Sequence, residues 1–272
     1  MQIRNWYLMS HPVTACLPSY FSLTFPGSNN RGIMQPTELY QEIINYCRAN
    51  ADPAIVTKYA RYFTEGYDAY GLGKGVLETK VNEILASENI TIKLVYKLGG
   101  LLVASHKYEE TYFATHLLKH FTDQFSSATF AAVGHWFELG IVNWAHCDVV
   151  CRDITGPLLK NKVVTIVALA PWREAANTYQ RRAVPVTLIE ILPDTKNITP
   201  LLDLIEPLMH DPAKKVQQGL GWFLREAWKL QPKPIEAFLL KYKDSAPRLI
   251  YQYACEKMGK EQKQLYKKGE SK

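Results

Sequence analysis

An all-α fold is predicted by three properties of this 272-residue chain. Apolar residues recur at helical spacing from Pro36 to Met258, no segment alternates polar and apolar side chains long enough to insist on a strand, and Pro, Gly and Asn punctuate the periodic stretches at short intervals. Short amphipathic helices of this kind cannot bury a face alone, so they must stack. Helix pairs of roughly 35 to 45 residues stacked in order would form a helical-repeat solenoid of the HEAT type with a concave inner face. A compact irregular bundle is the competing arrangement, because no clean sequence motif repeats.

The composition supplies a core and limits the partners. With 47% apolar and 21% charged residues the chain folds as ordinary globular protein, and wholesale disorder is excluded. The net charge of +6 is concentrated: six Lys and two Glu between Lys257 and Lys272 contribute +4, leaving about +2 for the rest. Nucleic-acid binding therefore requires a local basic face. Residues 259–272 read as a solvated basic tail.

Cys16, Cys47, Cys147, Cys151 and Cys255 are odd in number and scattered, which argues against a disulfide framework and for a reducing cytoplasm. His146, Cys147 and Cys151 could offer three metal ligands, but no second Cys/His pair lies near them, and buried thiols are the simpler expectation. No metal and no cofactor is expected. No uninterrupted apolar stretch is long enough for a bilayer, and the start lacks the charged and apolar regions of a signal peptide, so a soluble cytoplasmic protein without a membrane partner is expected.

Residues 1–35 are set apart as an extension with little regular structure. Met34 is a candidate translation start, since the Arg31-Gly32 codons before it can form a purine-rich run like a bacterial ribosome-binding site. The helical domain is then placed at 36–258. Leu39, Ile43, Ile44 and Cys47 form the stripe of a first helix, and Asp52-Pro53 opens a second through Tyr59 and Phe63. The glycines of Tyr70-Gly71-Leu72-Gly73-Lys74-Gly75 fit neither G-x-x-x-x-G-K-S/T nor G-x-G-x-x-G, and no strand precedes them, so they predict a helix-to-helix turn. Further helices are predicted over 76–85, 92–104, 110–121, 128–139, 154–169, 172–192, 199–209, 211–230, 234–242 and 246–258. Gly99-Gly100 inside the 92–104 helix marks a packing or fraying point.

Three stretches carry candidate chemistry. In Asn143-Trp144-Ala145-His146-Cys147-Asp148, Asn143 suits an N-cap, so Trp144 and Asp148 fall one turn apart on one helical face. An indole beside a carboxylate suits a cation, or a transition state that develops positive charge. The structural alternatives are a core anchor with an exposed acid, or a pair between Asp148 and Arg152. Tyr179-Gln180-Arg181-Arg182-Ala183 sets adjacent arginines early in a helix, as phosphate ligands or as a solvated edge. In Gly219-Leu220-Gly221-Trp222-Phe223-Leu224-Arg225-Glu226, each glycine costs about 1 kcal/mol in a helix relative to Ala. Close helix approach, or ligand room against Trp222, would offset that.

These three stretches, with Tyr59-Ala60-Arg61-Tyr62-Phe63 running to Gly71-Leu72, resemble in order and spacing the AlkD-like DNA alkylation repair glycosylases over residues 36–258. The resemblance implies a HEAT-like solenoid that holds duplex DNA in its concave face and hydrolyses the N-glycosidic bond of alkylated purines such as 3-methyladenine and 7-methylguanine; a monomer is the simpler expectation for a clamp that wraps DNA. It places the catalytic carboxylate on Asp148, aromatic plates on Trp144 and Trp222, and the backbone-gripping arginine on Arg182, or on Arg181 if the register shifts by one. Ala145 and Tyr179 depart from the family pattern, where a second acid and a Trp are common. A cationic base is already a good leaving group, so the protein need only stabilise an oxocarbenium-like sugar and direct a water. Cation-π contacts of Trp144 and Trp222 would add roughly 0.5 to 2 kcal/mol each. The alternative is a non-catalytic module of the same fold that binds structured nucleic acid or a protein partner; the presence of Trp144, Asp148 and Trp222 favours the enzyme.

Overall fold

The computed structural model describes residues 35–87 and 89–267. Apart from Gln35, the extension at 1–35 lies outside the described residues. These residues are helical, as the periodicity predicts, and none of their helices is long and apolar enough to cross a membrane.

Local chemistry starts the helices where the sequence indicates. Helix α1 (Pro36–Ala49) has Pro in its first turn and buries Leu39, Ile43, Ile44 and Cys47, the predicted stripe. Asp52 caps α2 (Pro53–Ala60) by accepting the Ala54 N–H at 2.8 Å. Then come α3 (Lys74–Leu85), α4 (Ile92–Ala104), α5 (Tyr108–Leu118), α6 (Ser127–Leu139), α7 (Trp144–Val150), α8 (Gly156–Lys160), α9 (Thr178–Ile189), α10 (Thr199–Ile205), α11 (Lys214–Leu230), α12 (Pro232–Tyr242), α13 (Arg248–Ala254) and α14 (Lys260–Leu265).

The helices stack in two rows, as a helical repeat requires. One row runs α3, α5, α7, α9, α11, α13, each helix packed on the next. The other begins with α1, α4 and α6 and continues through Trp172, which stacks on Phe130 of α6 and meets Phe137 edge-on, to α10. Side chains hold one layer on the next in a fixed register. The Cys147 thiol donates to the Tyr179 carbonyl, the Cys151 thiol to the Ala183 carbonyl, and the Thr155 and Thr187 hydroxyls share a bond of 2.7 Å, all at a separation of 32 residues. Gly99 faces the indole of Trp136, whose ring lies where a Cβ would stand, which identifies Gly99-Gly100 as a packing point.

The Tyr70–Gly75 glycines form the expected turn, and the reason is electrostatic. The buried carboxylate of Glu109 accepts the backbone N–H groups of Tyr70, Gly71 and Leu72 at 2.8, 2.7 and 3.1 Å, filling with a side chain the nest that an anion would occupy. Gly71 sits at φ +89°, and a Cβ there would lie 2.1 Å from the Asp52 carbonyl oxygen.

Three expected helices are broken by identifiable residues. The stretch 154–169 divides into a π-helical turn, Cys151–Thr155, then α8, and Lys162 at φ 58° reverses the chain. The stretch 172–192 begins only at Thr178, because Pro171 lies in a 3-10 turn, Ile166–Glu174, and Asn177 provides a fresh cap. The stretch 199–209 tightens into a 3-10 turn at Glu206, where Pro207 removes a helical N–H. At the C-terminal end, 260–265 is α14 rather than frayed chain. Tyr266 is 2% exposed beside Tyr251, and its carbonyl accepts from Arg248 at 2.6 Å.

Candidate functional site

The α7–α9–α11 row carries the candidate groups. Asn143 caps α7 as expected, its side chain accepting the His146 N–H at 3.0 Å, and this places Trp144 and Asp148 one turn apart. Asp148 meets Arg182 edge to edge, with Nε 2.9 Å from Oδ1 and Nη2 3.0 Å from Oδ2. The remaining guanidinium nitrogen, Nη1, donates to the Lys215 carbonyl on α11 at 2.8 Å. The side chains are 7% and 15% exposed, so the arginine is sealed and the carboxylate keeps one open edge. Burial works against the charge on Arg182, but the Asp148 carboxylate outweighs it and holds the guanidinium protonated.

Neighbouring helices shape this pair. The Asn177 side chain caps α9 through Tyr179 and Gln180 and donates to the Phe137 and Ile141 carbonyls, which fixes the start of the helix. A Cβ on Gly219 would lie 3.1 Å from Arg182 Cγ and 3.4 Å from its Nη1, so this glycine makes room for the guanidinium. Gly221 has its own neighbour: a Cβ there would lie 2.5 Å from Tyr253 Cβ on α13. Both glycines thus serve close helix approach, and Trp222, half-buried, shares the face of Gly219.

The two arginines diverge. Arg181 turns to Asp211, Nε to Oδ2 at 2.7 Å, and donates to the Ala175 carbonyl. Arg152 pairs with Asp153, Nε to Oδ1 at 2.6 Å. Packing therefore assigns Asp148 to Arg182.

Trp144 is half-buried in an aromatic cluster. Its Nε1 donates to the Tyr62 carbonyl at 3.3 Å, and its ring stacks on Phe63 with centroids 5.7 Å apart. Phe63 stacks in turn on Tyr67, and Tyr108 meets both edge-on. The chain after α2 thus sets the plane of the indole, and it also sends Glu65 to Lys215 on α11, 3.3 Å away. Glu65 and Lys215 escape a reading of sequence because they lie far apart in the chain; only stacking brings them together. Near the site, Asp148, Asp211 and Glu65 match Arg182, Arg181 and Lys215. A phosphate entering here must compete with a carboxylate.

The thiols of the described residues, including Cys147 beside the acid, are buried and inert. Cys47, Cys147, Cys151 and Cys255 are free and buried, and burial raises the Cys147 thiol well above its usual range. His146 is buried with its ring 4.4 Å from that of Tyr108, and its Nε2 finds no partner among the described residues. Burial pushes its pKa from 6.5 down to about 3, and burial lowers His116 well below 6.5 as well. In the unfolded chain both take a proton near pH 6.5; in the folded chain they do not. Stability should therefore be complete above about pH 6.5 and fall as the pH drops below it, toward about 3 for His146, by at most ~1.4 kcal/mol per pH unit for each histidine. Urea unfolding between about pH 7.5 and 5 should show this slope, and His146→Leu should flatten it. An unchanged slope in that variant would mean that His146 is already charged in the folded protein.

Comparison with known proteins agrees with the fold. Residues 43–258 match the family described as "DNA alkylation repair enzyme". No curated protein matches the chain. A solved structure described as "Predicted DNA alkylation repair enzyme from Enterococcus faecalis" is similar, with a TM-score of 0.61 and 16% identity, over 78% of this chain and 98% of that chain. At this identity the likeness is one of fold. The family match spans nearly the whole stacked-helix body, and on that ground the chain belongs to the DNA alkylation repair enzyme family.

Proposed function

We propose that this protein is a monofunctional DNA glycosylase that hydrolyses the N-glycosidic bond of cationic alkylated purines, such as 3-methyladenine and 7-methylguanine, in duplex DNA. The observation that carries the reading is a carboxylate fixed edge to edge on a buried guanidinium, one helical turn from a half-buried indole. N-alkylation makes the purine cationic, so the bond electrons leave with the base and cancel its charge. A positive charge develops on the sugar meanwhile. Asp148 stabilises that charge and accepts the proton of the water that adds to C1′, while Trp144 and Trp222 line the cation and exclude solvent.

Arg182 has a different part in this reading from the phosphate grip expected of it. All three of its guanidinium nitrogens are committed, two to Asp148 and one to α11, so it orients the acid. Arg181 and Lys215 are the cations that can exchange a carboxylate for a DNA phosphate. The protein acts as a monomer, in the compartment that holds the DNA.

Release of free base from a duplex with a single 7-methylguanine tests the proposal. Free 7-methylguanine and an uncleaved abasic strand are the expected products. Tight DNA binding without release would replace the enzyme with a non-catalytic nucleic-acid-binding module.

A further inference from the structure

Tyr179 is the group near Asp148 that the reading above leaves unused. It lies three residues before Arg182 on α9, on the same face, and is 7% exposed. Its carbonyl accepts the Cys147 thiol at 3.2 Å, which fixes it against α7 next to Asp148 in the chain. Its hydroxyl is fully buried and has no hydrogen-bond partner among the described residues. A buried donor without a partner costs about 1–3 kcal/mol, which a phenylalanine filling the same space would avoid. Tyr179 packs in the hydrophobic core of the stack, on the α9 face that carries Arg182, the arginine paired with Asp148.

Resting on the glycosylase reading, we propose that Tyr179 is a positioning residue for hydrolysis: its hydroxyl donates a hydrogen bond to the water whose proton Asp148 accepts. The water oxygen forms the bond to C1′, the C1′–N electron pair departs with the base, and the proton passes to Asp148. Tyr179 keeps its own proton throughout. Burial, with Glu65 next in weight, raises its pKa, so it donates and does not serve as a base. Glu65 is about half exposed and paired with Lys215.

The test compares Tyr179→Phe with the wild-type chain in single-turnover release of 7-methylguanine, in affinity for the same duplex, and in thermal midpoint. The expected result is a rate lowered about 100-fold or more, in line with the loss of one positioned donor, with affinity within about twofold and a midpoint unchanged or higher because an unpaired donor has gone. Equal rates with a raised midpoint would overturn the proposal and make Tyr179 a packing residue. Weakened affinity at an unchanged rate would overturn it in favour of a phosphate contact. A wild type that releases no base would remove the glycosylase reading and this inference with it, an outcome distinct from the other two.

Discussion

Asp148→Asn is expected to slow base release by about 10³-fold or more while DNA affinity stays within about twofold. The amide can neither oppose the charge that develops on the sugar nor take a proton from water. A unit charge about 4 Å away, at the screening typical of a protein surface, is worth about 4 kcal/mol, or roughly three decades of rate. The substitution is nearly isosteric, and the amide oxygen still accepts one of the two bonds from Arg182, so the variant should fold with a lowered thermal midpoint. Single-turnover release, equilibrium DNA binding and thermal unfolding on the same preparation separate chemistry from folding. Release at the wild-type rate would remove Asp148 from the reaction.

Arg182→Ala should have the largest effect on stability, a loss of about 3–5 kcal/mol, because it leaves a mostly buried carboxylate without its two donors and removes the bond that ties the guanidinium to α11. Urea unfolding would show the midpoint fall. Excision should fall as well, since Asp148 loses its orientation. The salt dependence of DNA binding then distinguishes the two roles of this arginine. A residue that only orients Asp148 leaves the slope of log affinity against log salt unchanged, whereas loss of a phosphate ligand reduces it by about one. A double-mutant cycle with Asp148→Asn adds a second criterion: the combined stability loss should be smaller than the sum of the two. Strict additivity would mean that the two side chains act independently.

The helices were legible because each depends on near neighbours in the chain. The stripe of α1, the Asp52 and Asn143 caps and the span of α4 all follow from residues a few positions apart. Breaks were harder to read where one residue overrides its context, as Lys162 does in a left-handed conformation and Asn177 does by starting a new helix. For the site, the same line divides what was visible. Trp144 and Asp148 share one turn, so their common face was predictable. The choice between Arg181 and Arg182 was not, since it depends on the space that Gly219 leaves on another helix. Glu65 and the unpaired hydroxyl of Tyr179 gave no signal in sequence at all, because each is defined by elements distant in the chain.

On the proposed function, the Glu65–Lys215 contact bears on how a stiff duplex would reach a site that is built before it arrives. Asp148, Arg182 and the two glycines are locked between stacked helices, and none needs to move. Glu65 holds Lys215 by an ion pair with one partner about half exposed, and pairs of that kind contribute about 0–1 kcal/mol. A restraint so weak is lifted by thermal fluctuation for a sizeable fraction of the time. On the proposed function, a phosphate arriving at Lys215 would find the lysine released for part of the time, before any binding energy has been gained.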